Sequence, residues 1–226
     1  MESKEFNYKY SFVKIFSDQE KFFSCAQQEI KNQVDLLESH IKKNPSFKSS
    51  LESIEVNKDS PKIAQEMIGA SNNFGIGPMS SVAGAVAYFA AAAMKKEGAK
   101  ISMVENGGDI FIARLQKEIS VKIFSGSKFK NLFFKIKPKD CSLAICSSSG
   151  TMGHSMSFGK ADLACVISKS AFLADAGATF LGNLIKEEGD IEKSLELVLE
   201  RQNILGALAI KGDKIGMVGD VGKFIK

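Results

Sequence analysis

Between residues 18 and 43 the apolar side chains Phe22, Ala26, Ile30, Val34, Leu37 and Ile41 recur three and four apart, which places them on one stripe of an amphipathic helix. Asn44-Pro45-Ser46 ends that helix, and the alternation across residues 51–56 predicts a half-buried strand. Ser60-Pro61 is a cap followed by a first-turn proline and opens a second helix. The 28 residues from 67 to 94 carry no charge, so a membrane span has to be weighed. Asn72, Asn73, Pro78, Ser80 and Ser81 interrupt the first half, and the alanine-rich remainder is shorter than the ~20 residues a bilayer needs. It reads instead as a central helix packed on every side, closed by Lys95, Lys96 and Gly98. Strand patterns follow at 100–104, 110–113, 119–124, 132–136, 143–147 and 163–168. Helices are expected at 170–186 and 191–202, then a hairpin over 207–218 that turns at Gly212-Asp213. The pattern predicts an α+β fold, a mostly antiparallel sheet flanked by helices, in one domain over residues 1–226.

With 44% hydrophobic and 25% charged residues and only 4 prolines in 226, the chain has a globular balance. Its net charge of +4 is too small to point to nucleic acid or an anionic membrane, and neither partner is expected. Six lysines alternate with apolar residues between 122 and 139, which reads as a charge-guarded strand face. Cys25, Cys141, Cys146 and Cys165 form no CxxC pair, and the amino terminus has no apolar leader, so reduced thiols and a cytoplasmic location are expected. His40 and His154 are the only histidines, and His40 suits the basic end of its helix. Any metal must therefore lean on oxygen ligands.

Four segments can carry chemistry. Gly75, Gly77, Ser80 and Ser81 lie just before the long helix, where free N–H groups attract phosphate; a simple turn fits equally well. Asn106, Gly107, Gly108 and Asp109 suit a hairpin, yet turn chemistry alone does not ask for Asp109, which could instead meet a ribose, a flavin edge or an amide. Ser148, Ser149, Gly150, Thr151 and His154 form a polar loop fit to line a phosphate site, with His154 as general base, anion contact or structural histidine; a serine hydrolase is a remote third class. In the sixteen residues 170–185 the one charge is Asp175. Thr179 is four residues on and on the same helix face, so the two offer a carboxylate and a hydroxyl to Mg²⁺, unless Asp175 pairs with a lysine or serves a cap.

Taken in order, these segments resemble the flavin-transferase superfamily named after ApbE, the FAD:protein FMN transferases. The shared pattern is a glycine-containing helix start at 77–84, the Asn106 to Asp109 turn, the 148–154 loop with its histidine, and the Ala-Asp-Ala-x-x-Thr stretch at 174–179. The resemblance implies a cleft for FAD, Mg²⁺ on its pyrophosphate, and transfer of FMN to a Thr or Ser of an acceptor protein with loss of AMP. It also implies Asp175, Thr179 and a backbone carbonyl near Val82 as metal ligands, and His154 near the reacting phosphate. Where those transferases carry a lysine and an aspartate in the first motif, residues 82–87 here read Val-Ala-Gly-Ala-Val-Ala. Hydrolysis of the pyrophosphate, or a non-catalytic flavin or nucleotide carrier, are the other readings.

Overall fold

The computed structural model describes residues 1–226 apart from 125–128, 130, 131, 151–158, 222 and 226, with 223–225 described as backbone only. A hairpin of β1 (Glu2–Tyr8) and β2 (Ser11–Ser17) comes first. Four helices follow: α1 (Lys21–Lys43), α2 (Ser46–Ser49), α3 (Lys62–Asn72) and, after a 3-10 turn at Pro78–Ser81, α4 (Val82–Lys96). The chain then returns to the sheet as β3 (Ser102–Asn106) and β4 (Asp109–Arg114). It departs into β5 (Ile119–Ile123) and β6 (Leu132–Ile136) and comes back as β7 (Leu143–Ser148) and β8 (Leu163–Ser168). Helices α5 (Ala171–Leu184) and α6 (Ile191–Leu199) lead to β9 (Ile204–Lys211), β10 (Lys214–Gly219) and β11 (Lys223–Ile225).

Eight strands lie in the order β1-β2-β3-β4-β7-β8-β9-β10, every neighbouring pair antiparallel. A second sheet has the order β11-β6-β5. The α+β, mostly antiparallel expectation holds, with a refinement to the flanking. The helices cover one face of the large sheet through Phe22, Ile30, Val86, Ala90, Leu181 and Leu195, while β5 and β6 bury Val121, Leu132 and Phe134 against the other. The alanines of α4 and the small residues of α5 explain how close these two helices come. A Cβ added at Gly84 would stand 2.5 Å from the carbonyl oxygen of Ala171 and 2.9 Å from Cβ of Asp175.

Two local expectations are corrected. Residues 51–56 form no strand: Leu51 and Val56 stay exposed, and the Asn72 side chain takes the Ile54 N–H (3.3 Å) and donates to its carbonyl (2.9 Å), where a ladder partner would have been. Ser60 does not cap α3; Pro61 holds that position without a side-chain bond, and Ser60 Oγ is buried with no partner. The uncharged segment is split by the 3-10 turn, and among the described residues no helix is long and apolar enough to cross a membrane.

Candidate functional site

Antiparallel pairing gathers several chemistry-bearing segments at one end of the large sheet. Asn106 and Asp109 close the β3–β4 hairpin in register, with Gly107 at φ +64° and Gly108 at φ +109° making the turn that an L side chain rarely allows. The Ser147 N–H donates to Asp109 Oδ1 at 3.2 Å, and the Ser147 hydroxyl donates to the Gly108 carbonyl at 3.1 Å. Thus the end of β7, which leads into the serine-rich loop, is fastened to the turn. From the helix side, Asn106 Nδ2 donates to the Ala83 carbonyl at 3.3 Å, tying the turn to the first residues of α4.

Asp175 lies in the second turn of α5 and is 8% exposed. Its Oδ2 accepts the Gly84 N–H at 2.8 Å, so the carboxylate faces the amino-terminal turn of α4, where free N–H groups favour negative charge. One turn later along α5, the Thr179 hydroxyl donates to the Ser80 carbonyl at 3.5 Å. Asp175 and Thr179 thus share the face of α5 that meets the start of α4 and the 3-10 turn before it. Burial pushes the Asp175 carboxyl well above the ordinary range and the nearby Asp109 charge pushes it further, against the pull of the Gly84 and Ala83 N–H groups. Burial likewise lifts Asp109 to about 7, opposed by the Ser147 N–H and the Cys146 thiol. Neither carboxyl has a lysine, arginine or histidine ion pair among the described residues.

The remaining expected residues divide. Ser80 reaches the site through its carbonyl, while its hydroxyl donates to the Gly77 carbonyl at 2.7 Å. Ser81 is turned inward, its hydroxyl bonded to the carbonyls of Pro78 and Met67. Gly77 is required by packing, since a Cβ there would sit 1.9 Å from the Ser50 carbonyl oxygen, and Gly75 shapes its turn at φ +69°. The Ser81 hydroxyl is thus engaged within the protein, and what Gly77 can offer a phosphate is its backbone. Asn106 and Asp109, both buried, brace the site from within, Asn106 through Nδ2 on the Ala83 carbonyl and Asp109 through Oδ1 on the Ser147 N–H. Val82 begins α4, and the carbonyl that meets Thr179 is that of Ser80, two residues earlier. Ser148 and Ser149 are half-buried where β7 ends, and Gly150 is exposed. Thr151 and His154 lie outside the described residues.

The sequence reading missed two features. The buried Cys146 thiol donates to the Ala171 carbonyl at 3.8 Å, and burial, with the nearby Asp109 charge, holds that thiol well above its ordinary pKa. Gly150, Gly159 and Gly182 form a contact in which a Cβ on Gly159 would stand 1.6 Å from the Gly182 carbonyl oxygen and one on Gly150 would stand 2.3 Å from that of Gly159. The two ends of the serine-rich loop are thus pressed together and onto α5. A glycine three residues past the Ala-Asp-Ala-x-x-Thr stretch was the available signal.

The oxygen set suits a hard divalent cation: the Asp175 carboxylate, the Thr179 hydroxyl and the Ser80 carbonyl share one corner, with no nitrogen or thiolate ligand among them. No group of three His, Cys, Asp or Glu side chains gathers elsewhere among the described residues to compete for a metal.

Compared with known proteins, residues 11–213 match the family described as AbpE bacteria. A UPF0280 protein of Methanosarcina acetivorans is 39% identical over 227 residues, covering 99% of this chain and 88% of its own. A UPF0280 protein of Archaeoglobus fulgidus is 38% identical over 221 residues, covering 96% and 91%. Among solved structures, the apo flavinyl transferase ApbE of Pseudomonas stutzeri superposes with a TM-score of 0.60 at 13% identity, over 97% of this chain and 94% of that one. Flavin transferase ApbE of Vibrio cholerae gives 0.55 at 13% identity, over 97% of each chain.

Proposed function

The chain belongs to the AbpE bacteria family, within the ApbE-like superfamily, and from that premise we propose that it binds FAD through the pyrophosphate with Mg²⁺ and passes FMN to a hydroxyl of an acceptor protein or to water. The observation that carries this reading is Asp175: a carboxylate buried among apolar neighbours, without a cationic partner among the described residues, on the helix face that carries Thr179 one turn on. Such a group is costly unless a cation meets it or it stays protonated.

Asp175 and Thr179, with the Ser80 carbonyl, are the residues that would hold the ion, which when bound supplies neutralisation of the charge that develops on a pyrophosphate under attack. Gly84 fixes Asp175 by donating its N–H to one carboxylate oxygen, which would orient the carboxylate toward the ion. Asp109 and Ser147 fasten the end of β7 to the turn, which would offer the hydroxyls of Ser148 and Ser149 to the phosphates. His154 is assigned the proton of the attacking hydroxyl by its place in the motif. Four free cysteines suit the cytoplasm, where we place the protein.

The test is calorimetric titration of the purified chain with FAD, with and without Mg²⁺, followed by product analysis. Mg²⁺-dependent binding that Asp175→Asn abolishes, while its melting profile stays native, supports the site. Release of AMP with FMN, free or attached to an acceptor, supports the reaction. Tight FAD binding with no AMP after long incubation leaves the carrier reading, which the absent first-motif lysine and aspartate favour. No Mg²⁺-dependent binding, or a fully active Asp175→Asn, overturns the assignment.

A further inference from the structure

The whole-chain charge of +4 conceals an uneven distribution. Residues 114–139 hold eight Lys and Arg against one Asp or Glu, out of 30 against 26 in the chain, so the rest of the molecule is acidic by three. The described residues of this basic stretch include β5 and β6 of the small sheet. β5 and β6 bury Val121, Ile123, Leu132, Phe134 and Ile136 against the large sheet, and strand alternation turns Lys122, Phe133 and Lys135 outward. Lys137 continues that alternation and is exposed, and the backbone of β11 sets Lys223 in register with Lys135. Glu118, the one acid of the stretch, stands 3.7 Å from Lys135. Phe124, one residue beyond β5, is 72% exposed.

Protection of strand edges does not account for this face. Guarding lysines belong on edge strands, yet β6 is the central strand and carries Lys135, and an exposed phenylalanine invites contact. Nucleic acid fits poorly: the Lys122 ammonium lies 5.9 Å from the Phe133 centroid and occupies the ring a base would stack on. The only arginine of the stretch, Arg114, is directed to the Ala99 carbonyl at 3.4 Å. Protein interfaces favour arginine and deplete lysine. Flexible lysines around a protruding aromatic ring match a plane of anionic headgroups, where neither bidentate geometry nor shape complementarity is needed.

We propose that the outer face of the small sheet is a peripheral docking face for an anionic phospholipid surface, with the ammonium groups of Lys122, Lys135 and Lys137 on the headgroup phosphates and Phe124 seated at the acyl boundary. This stands apart from the flavin assignment and revises the expectation of no membrane partner, which rested on the whole-chain charge and on the lack of a spanning helix.

The experiment is co-sedimentation of the full chain with vesicles of phosphatidylcholine alone and with about 30% phosphatidylglycerol added, a content chosen to give a strongly negative surface. The protein is expected to pellet only with the anionic vesicles and to be released at about 1 M salt, where the Debye length falls to roughly 3 Å. Lys122→Gln with Lys137→Gln should weaken partitioning roughly 25-fold, about fivefold for each lysine near the surface. Phe124→Ser should weaken it without changing the salt dependence. Circular dichroism melts confirm that these exposed substitutions leave the fold in place. Failure of the unaltered chain to pellet with anionic vesicles at low salt overturns the proposal. So does pelleting that the lysine pair leaves unchanged, or binding to single-stranded RNA or polyglutamate in preference to the vesicles. FAD binding is measured separately and has no bearing on this outcome.

Discussion

Asp109 and Asp175 are the two acidic residues buried among the described residues, and both pay in the same direction. A carboxyl raised on folding binds a proton that the unfolded chain has released, so its contribution to stability is full below the unfolded value near 3.8 and is lost as pH rises through the folded value, about 7 for Asp109. The metal-free chain should therefore lose stability between about pH 4 and pH 7 on account of Asp109. Urea denaturation at a series of pH values should show Asp109→Asn with a flatter profile over that window; an unchanged slope would mean that the carboxyl titrates normally. Asp175 was legible in the sequence, because one charge in sixteen residues of apolar helix has to be met by something. The inward aim of Asp109 was not, since a hairpin sequence states which residues turn and leaves open which way a flanking carboxylate points.

At the scale of elements, the site depends on the distance between α4 and α5. The Gly84 contact sets that distance, because its neighbour is the backbone carbonyl of Ala171 and cannot rotate away. Gly84→Ala is expected to cost about 1–3 kcal/mol by overpacking and also to weaken the Mg²⁺ response, since the N–H that holds Asp175 moves with it. Chemical denaturation and Mg²⁺ titration of the one variant check both; a variant of normal stability would show that the helices separate freely. The helices and most strands could be read from periodicity, and the Asn-Gly-Gly-Asp turn from its residue types. The β1–β2 hairpin could not, for β1 is an edge strand with mostly exposed residues and no apolar alternation to announce it. Residues 51–56 show the converse, an alternating pattern whose backbone bonds to the side chain of Asn72 instead of to a strand.

Across the whole molecule, the large sheet separates two cores, with the site on the helical side and the small sheet on the other. Phe134, fully buried between the sheets, should cost about 3–5 kcal/mol when cut to alanine. Any molecules of Phe134→Ala that remain folded should keep the Mg²⁺ response, and loss of that response in the folded fraction by native-state titration would show the two cores to be coupled. The order of the strands has a consequence for synthesis on the ribosome. β2 pairs with β3 across four helices, and the hydrogen bond from Ser17 to the Ile101 carbonyl spans 84 residues. At roughly 5–20 residues per second, the amino-terminal hairpin waits about 4–17 s for that neighbour to be made. During the wait, α1 is the partner already at hand: Tyr8 bonds Asp35, and Lys9 bonds Asp35 and Glu38, all within the first forty or so residues. The nascent chain can thus clasp its first hairpin to its first helix, and shelter Phe6 and Tyr8 there, before the sheet that will receive them exists.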